Sequence, residues 1–278
     1  MNSKHHLSPA PLPHFVAERE RKSRTSQAKD FIQGALFRTI SFSRYFRIGS
    51  SGFALATFFL FGCHSPQSIT RSAAELLAAR TNYPAHWWTP IPTNGAPGWE
   101  ILPQAAAPGE VILSKRNELG LLSNFAPTPL TFRGKRYASL EGFWQMMKYP
   151  EGPDDPRATF PGVSWNFTRE QVAQLSSFEA KRAGDLGEKN MQTMGITWVT
   201  FEGKRMEYKP ATPGEHYRLI VEATREKVRQ NPEVKKILLA TGNLILKPDH
   251  HQESNAPAAW HYFDILTQIR TDLQRDSH

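Results

Sequence analysis

The chain has 278 residues and a formal charge of +8, a value that on its own suggests a nucleic-acid-binding protein. The charge is unevenly spread, because residues 1–50 carry a net +6 and residues 51–63 carry none. Only +2 is left for residues 64–278, so we expect no sequence-specific nucleic-acid binding and no non-specific binding driven by net charge. The single cysteine, Cys63, excludes an intramolecular disulfide and a cysteine-based zinc site.

Residues 51–63 form an uncharged stretch that follows a tract containing three arginines and ends in Leu-Phe-Gly-Cys. This order is typical of a secretory signal, and its end resembles a bacterial lipobox, although Phe61 is unusual there. The apolar run is too short for an ordinary spanning helix. Residues 1–63 are thus predicted to be a basic tail with a signal segment, lipidated at Cys63 and anchored in the bacterial cell envelope. The alternatives are a buried amphipathic segment and, if the signal is not used, a cytoplasmic protein.

Residues 64–109 combine seven prolines with an aromatic cluster of Tyr83, Trp87, Trp88 and Trp99. Proline prevents long regular elements, whereas a free tether has no use for tryptophan. We therefore expect a tether to about Arg80, followed by an irregular arm that lies on the folded domain.

Residues 110–278 are predicted to form that domain. Its strands are expected at Glu110–Leu113, on either side of Arg133-Gly134-Lys135, and near 196–209. Its helices are expected from Ser139 onwards and at 168–176, 178–194, 214–230, 232–239 and 257–273. The fold class is α+β, a mainly α-helical single domain with a few short strands.

The opening helix, SLEGFWQMMK at 139–148, carries two stripes. Its apolar residues have the spacing of a buried face, and Glu141, Gln145 and Lys148 form a polar stripe at i, i+4 and i+7. The ordinary explanation of the polar stripe is a solvated helix face. The alternative is a functional site.

Several segments resemble the YbiA-like family, also called NADAR. LLSNFAPTPLTFRGKRYASLEGFWQMMKY looks like the family's N-terminal signature, and AKRAG at 180–184 is similar to its basic Ala/Arg/Gly turn. Trp198 stands where the family often has a tryptophan, and ILLATGN at 237–243 is similar to its Leu-Leu-x-Thr-Gly-Asp/Asn stretch. The resemblance covers about residues 110–273 and implies a YbiA-like fold.

The chain also departs from that pattern. Gly142 replaces the histidine that follows the family's glutamate, and Pro248 replaces a later glutamate. The sequence PDHHQESNAPAAW stands where the family has a glycine-rich loop before the last helix. The resemblance is therefore to a divergent branch with a rebuilt closing loop.

What the resemblance implies is an N-glycosidase without a cofactor that cleaves the bond between a ribose C1 and a nitrogen. The implied substrates are ribosylamino-pyrimidine phosphates of riboflavin biosynthesis or ADP-ribose attached to guanine. Lys148 would form a Schiff base with C1, and Glu141 would shuttle protons. Helical rise separates the two by about 10 Å along the axis, which suits residues that flank a ribose. Gly142 would let the ligand approach the backbone.

Candidates for substrate binding are weaker, because each has a structural alternative. Asn124 is equally a turn residue, Arg182 a solvated helix charge, and Trp198 a core residue. The full set is Asn124, Trp144, Gln145, Arg182, Trp198, Asn243, Asp249 and His250. The Asp-His-His-x-Glu run invites a metal site, but adjacent histidines point in different directions, so no metal is predicted. The competing function is a lipid-anchored protein that binds ADP-ribose or a nucleotide without catalysis.

The lipobox-like stretch leads to a direct test. If Cys63 is the lipidated N-terminus, the mature protein has the mass of residues 63–278 plus acyl chains, and Cys63→Ser remains unprocessed. Mass spectrometry of the membrane fraction measures this. A peptide that spans residues 50–70 in the mature protein contradicts it.

Overall fold

Six α-helices and six short β-strands make up the part of the chain that the computed structural model describes, residues 80–253 and 255–276. The helices are α1 (Leu140–Met146), α2 (Arg169–Ala173), α3 (Ser177–Met194), α4 (Glu215–Gln230), α5 (Pro232–Ala240) and α6 (Tyr262–Arg275). These residues belong to one compact unit, and the expected α+β, mainly helical fold class is confirmed. Cys63, the signal-like stretch and the tether lie outside the described residues.

The strands form three separate pairs. In chain order they are β1 (Glu110–Ile112), β2 (Leu130–Phe132), β3 (Lys135–Tyr137), β4 (Trp198–Phe201), β5 (Lys204–Glu207) and β6 (Ile245–Lys247). The antiparallel pairs β2–β3 and β4–β5 close over two left-handed residues each, Arg133-Gly134 and Glu202-Gly203. Two such residues are typical of tight hairpin turns. The predicted hairpin and the excursion near 196–209 are therefore confirmed.

Strand β1 lies parallel to β6, with Val111 opposite Leu246. The sequence does not predict β6, because a three-residue strand has too short a pattern to recognise. Its partner is more than a hundred residues away along the chain.

Helix α1 lies in the core. Ser139 caps it by accepting a hydrogen bond from the Gly142 amide at 2.9 Å, as an N-cap serine does. The helix packs against α2, α3 and α4, and all seven of its residues are buried, Glu141 and Gln145 included. The solvated-face explanation of the polar stripe is therefore wrong.

Gly142 is required by helix packing and not by a ligand. A Cβ atom at this position would lie 2.4 Å from the carbonyl oxygen of Leu175 and 3.0 Å from that of Val172. The expectation that Gly142 opens the backbone to a substrate is therefore wrong, because this side of α1 is filled by residues 172–175.

Residues near the helix ends set the boundaries of the other helices. Helix α3 continues through residues 180–184, which are not a turn, and ends at Gly195, whose φ of 66° is left-handed. Helix α4 ends at Asn231 because Pro232 follows it, and that proline opens α5. The last helix begins later than predicted, since residues 258–260 form a 3₁₀ turn. In the part of the chain with described coordinates, no helix has the length and apolarity to cross a membrane.

Residues 80–109 pack against the rest of this unit. Trp87 is buried and donates through Nε1 to Glu118 at 2.6 Å, and Trp88 donates to the carbonyl of Glu110 at 2.9 Å. The hydroxyl of Tyr83 accepts from the Asn243 amide at 3.2 Å. Trp87 thus belongs to the same hydrophobic core as α1, and Tyr83 and Trp88 pack against that core, whereas Trp99 is exposed.

The packing around Gly142 predicts the effect of one methyl group. Gly142→Ala should destabilise the protein by about 1–3 kcal/mol, because the new Cβ forces backbone carbonyls to move. Intrinsic helix propensity alone predicts the opposite sign, by about 1 kcal/mol. Gly98→Ala is the control, since nothing lies within 4 Å of the position that a Cβ atom would take there. Chemical denaturation measures both; a stabilised Gly142→Ala protein contradicts the packing argument.

Candidate functional site

A cavity of about 660 Å³ opens between α1, α3, the turn at 123–125 and the loop at 250–253. Its polar floor contains Asn124, Glu141, Gln145, Lys148, Asp185 and Glu188. Aromatic side chains surround its mouth. Six of the predicted site residues therefore lie together here: Asn124, Glu141, Trp144, Gln145, Lys148 and His250.

Glu141 is a buried carboxyl group in the floor, with 6% of its surface exposed. Its Oε1 accepts a hydrogen bond from Gln145 Nε2 at 2.7 Å. Burial raises the pKa of Glu141 above its ordinary value, although the Gln145 hydrogen bond and the charge of Lys148 oppose this. A carboxyl group with a raised pKa can carry a proton at neutral pH and deliver it to a ligand.

Lys148 is a buried amine in the same floor, with 2% of its surface exposed. Its Nζ donates to the carbonyl of Gly184 and to Glu188 Oε2, both at 3.0 Å, and lies 4.9 Å from the centre of the Tyr208 ring. Burial lowers the pKa of Lys148 despite the opposing charge of Glu188. Burial thus makes the neutral, nucleophilic form of this amine more accessible.

The buried side chain of His216 lies behind Glu141 and Lys148 and forms no hydrogen bond with Lys148. His216 is fully buried, contacts the rings of Trp144 and Tyr208, and has no hydrogen-bond partner for its ring nitrogens among the described residues. Burial, together with the charge of Lys148, lowers the pKa of His216 to about 4. His216 is therefore neutral at pH 7 and adds no second positive charge beside Lys148.

Helix α3 repeats the polar pattern of α1. Lys181, Asp185 and Glu188 stand at i, i+4 and i+7, the same spacing as Glu141, Gln145 and Lys148, and all three line the cavity. Sequence reasoning missed this second stripe, although the spacing was the signal that would have found it. The two stripes face the same space because α1 and α3 pack against each other.

A glycine permits that packing. A Cβ atom at Gly184 would lie 1.9 Å from Gln145 Oε1, so any other residue would force the Gln145 side chain to move. Gln145 Oε1 has no hydrogen-bond partner in the described residues, and it occupies the space that a side chain at 184 would take. The carbonyl of Gly184 is the same group that accepts from Lys148.

Two arginines hold the end of α1. Arg157 donates to the carbonyls of Met147 at 3.2 Å and Lys148 at 3.3 Å, and Arg169 donates to that of Tyr149 at 2.8 Å. The last carbonyls of a helix lack partners within the helix, and cations are favourable there. The two arginines therefore fix the backbone around Lys148 at the end of α1. No sequence pattern points to these arginines.

The rebuilt loop contributes a buried carboxylate behind the cavity wall. Asp249 Oδ2 accepts from Lys115 Nζ at 2.5 Å, and Asp249 Oδ1 lies 3.1 Å from His250 Nδ1. Burial alone would raise the pKa of Asp249, but the hydrogen bonds from His250 and Lys115 outweigh it and the pKa is lowered. Asp249 thus orients Lys115 and His250, both of which line the cavity. No three His, Cys, Asp or Glu side chains in the described ranges are placed to share a metal ion.

The prediction that Asp249 contacts the substrate is not met, because Asp249 lies behind the cavity wall, and three further predicted contacts lie elsewhere. Trp198 borders a separate depression of about 380 Å³, where its ring is 4.9 Å from the guanidinium of Arg157 and 4.2 Å from that of Arg205. Arg182 is exposed on another face of α3, 4.0 Å from Glu179. Asn243 is exposed after α5, where its backbone contacts Tyr83. None of these three residues lines the main cavity. Trp198 belongs to the β4–β5 hairpin, Arg182 lies on another face of α3, and Asn243 follows α5.

Comparisons with known proteins add little to this geometry. Neither the comparison with family models nor the comparison with curated proteins gives a match. Among solved structures, the chain is similar to the NMR structure of the E. coli protein YbiA, at 20% sequence identity. The similarity covers 60% of this chain and 86% of that chain, with a TM-score of 0.38. A likeness at this level carries no argument about the site or its activity.

The contact between Lys148 and Glu188 predicts a measurable change. Glu188→Gln removes the negative charge beside Nζ, so the pKa of Lys148 should fall further below the ordinary lysine value. NMR titration of isotope-labelled lysine side chains measures this pKa. Glu179→Gln is the matched control, because Glu179 is exposed on the same helix and pairs with Arg182 instead. An unchanged or raised pKa for Lys148 in Glu188→Gln contradicts the assigned ion pair.

Proposed function

We propose that the protein is an N-glycosidase that hydrolyses the bond between C1 of a ribose and a nitrogen. The substrate class is an ADP-ribosyl conjugate or a ribosylamino-pyrimidine phosphate of the riboflavin pathway. The observation that supports this most is a buried amine with a lowered pKa and a buried carboxyl group with a raised pKa on one helix, in the floor of one cavity. The resemblance of the α1 sequence to the YbiA-like family supplies the reaction type.

Lys148 acts as the nucleophile in this proposal. Ring opening of an exocyclic N-riboside gives an imine at C1, and the neutral Nζ adds to that carbon. The bond from C1 to the original nitrogen then breaks as that nitrogen takes up a proton, which leaves an imine between Lys148 and the sugar. Water adds to this imine, releases the sugar as an aldehyde and restores the amine.

Glu141 moves the protons that these steps require. In its protonated form it donates to the ring oxygen or to the leaving nitrogen, and as a carboxylate it accepts a proton from the attacking water. Its raised pKa favours the protonated, donating form more than in an ordinary glutamate.

The size of the cavity suits a nucleotide-sized ligand. A volume of about 660 Å³ lies within the range of small-molecule sites. The cations Lys115 and Lys181 line the same cavity and are candidates to contact phosphate. Asn124 and His250 are retained as candidate contacts to the sugar or the base, and membrane anchoring through Cys63 remains a prediction.

One observation favours the alternative, a protein that binds ADP-ribose or a nucleotide without turnover. The hydrogen bonds from Lys148 to Glu188 and to the Gly184 carbonyl both stabilise the charged amine, which is not nucleophilic. Release of base from an ADP-ribosylated guanine nucleoside, followed by chromatography, distinguishes an enzyme from a binding protein.

The covalent step provides the main test. Borohydride added with a ribosylamino substrate should reduce the imine and leave a stable adduct on Lys148, located by peptide mass spectrometry. Lys148→Arg should abolish both the adduct and turnover, because a guanidinium does not form this imine. Lys189→Arg is the control, since Lys189 is exposed on α3 and does not line the cavity. A fully active Lys148→Arg protein contradicts the covalent mechanism.

The role of Glu141 is tested separately. Glu141→Gln keeps the shape and the Gln145 contact but removes the exchangeable proton, so turnover should fall by about 10²–10⁴-fold. Ligand binding, measured by calorimetry, should survive. Unchanged turnover in this variant would show that Glu141 has no catalytic part.

A further inference from the structure

Exposed aromatic rings are concentrated at the mouth of the cavity. Six large apolar side chains are at least about two-fifths exposed in the part of the chain that the structure describes, and three of them line this cavity. They are Trp99 at 45%, Phe178 at 46% and Trp260 at 40% exposure. Large apolar groups in contact with water next to a polar, concave floor are typical of a binding site.

Three of the rings at the mouth form one group, which we call the aromatic rim: Trp99, Phe125 and Phe178. The rings of Trp99 and Phe178 are 6.3 Å apart at 61°, and those of Phe125 and Phe178 are 5.4 Å apart at 87°. Both are edge-to-face arrangements, which leave ring faces available to a flat ligand. Trp260 lies at the same mouth and carries the ammonium of Lys209 at 5.0 Å from its ring centre.

The aromatic rim is assembled from three distant segments. Trp99 belongs to the arm, Phe125 to the turn before β2, and Phe178 to the start of α3. Ser177 adopts a left-handed φ of 55°, which is uncommon outside glycine, and its amide donates to the carbonyl of Phe125 at 3.0 Å. This backbone conformation places Phe178 beside Phe125, with the Phe178 ring at the mouth of the cavity.

Lys115 adds a cation to the rim. Its Nζ lies 5.2 Å from the centre of the Phe125 ring and 6.0 Å from that of Trp99, and Asp249 holds it there. An ammonium has three N–H donors, so Lys115 can donate to Asp249 and also to acceptor atoms at the edge of a flat ligand that packs on these rings. Heterocyclic bases have both properties.

We infer that the aromatic rim is a stacking subsite for the heterocyclic base of a nucleotide ligand whose ribose lies over the Glu141–Lys148 floor. The placement of the ribose rests on the proposed function, whereas the stacking does not require turnover. The ring that stacks is either the base bonded to the reacting ribose or the adenine of an ADP-ribosyl group. Both share the same chemistry, a planar heterocycle with acceptor atoms at its edge.

The test compares ligands with and without a base. Dissociation constants of guanosine 5′-monophosphate, ADP-ribose and ribose 5-phosphate are measured by calorimetry with the full chain. Trp99→Ala and Phe178→Ala should each weaken binding of at least one base-containing ligand by about fivefold or more, the effect of losing one base–aromatic stack. Binding of ribose 5-phosphate should not change. Trp99→Phe, which keeps a ring, should retain most of the affinity.

Phe160→Ala is the matched control, because Phe160 is 39% exposed and lines neither cavity. A selective loss for guanosine 5′-monophosphate identifies the base on the reacting ribose, and a selective loss for ADP-ribose identifies adenine; either supports the subsite. Equal losses for all three ligands, no loss for any of them, or no binding of either base-containing ligand to the wild type overturns it. Failure of borohydride trapping at Lys148 removes the proposed reaction but leaves these binding results intact.

Discussion

The close packing of α1 against α3 is the constraint on which the site depends. It brings two polar stripes together inside the core, and glycine at 184 and 187 of α3 leaves room for this close approach. A Cβ atom at 187 would lie 3.0 Å from the Tyr149 ring and 3.1 Å from Lys148 Cβ, and one at 184 would overlap Gln145. Larger residues would separate the helices, admit water between them and remove the desolvation that shifts the pKa values of Glu141 and Lys148.

Burying an amine and a carboxyl group in this way is costly unless their partners are fixed. The protein fixes them from outside the stripe: Glu188 and the Gly184 carbonyl on α3 hold the amine, and Arg157 and Arg169 hold the backbone at the end of α1. A buried lysine on α4 holds the turn at 123–125, another part of the cavity lining, in a similar way. Lys227 is fully buried on α4 and donates to the carbonyl of Ser123, next to Asn124, while burial lowers its pKa to about 7.

The cavity joins two kinds of surface with different origins. Its charged floor comes from α1 and α3, and its aromatic mouth comes from the arm, the turn at 123–125, the start of α3 and the loop after β6. The short parallel pair β1–β6 connects these parts, because β1 follows the arm and β6 precedes the loop that carries Asp249 and His250. Asp249 then ties the loop to Lys115 beyond β1. The β1–β6 pair and the Asp249–Lys115 contact thereby hold the proposed sugar site and the proposed base site in place.

The sequence by itself determined the elements whose cause is local. Periodicity and capping predict α1, α3, α4 and α5, and the Gly134 turn predicts the β2–β3 hairpin, because these signals lie within a few residues of the element. The spacing of Glu141, Gln145 and Lys148 was visible in the same way. Only the tertiary structure decided that this stripe is buried, that α3 supplies its partners, and that Trp198, Arg182 and Asn243 lie outside the cavity. It also decided that Gly142 serves packing, since its neighbours at 172–175 come from the end of α2 and the residues that follow it. Burial and pKa depend on which segments meet in space, and local sequence does not encode those distant contacts.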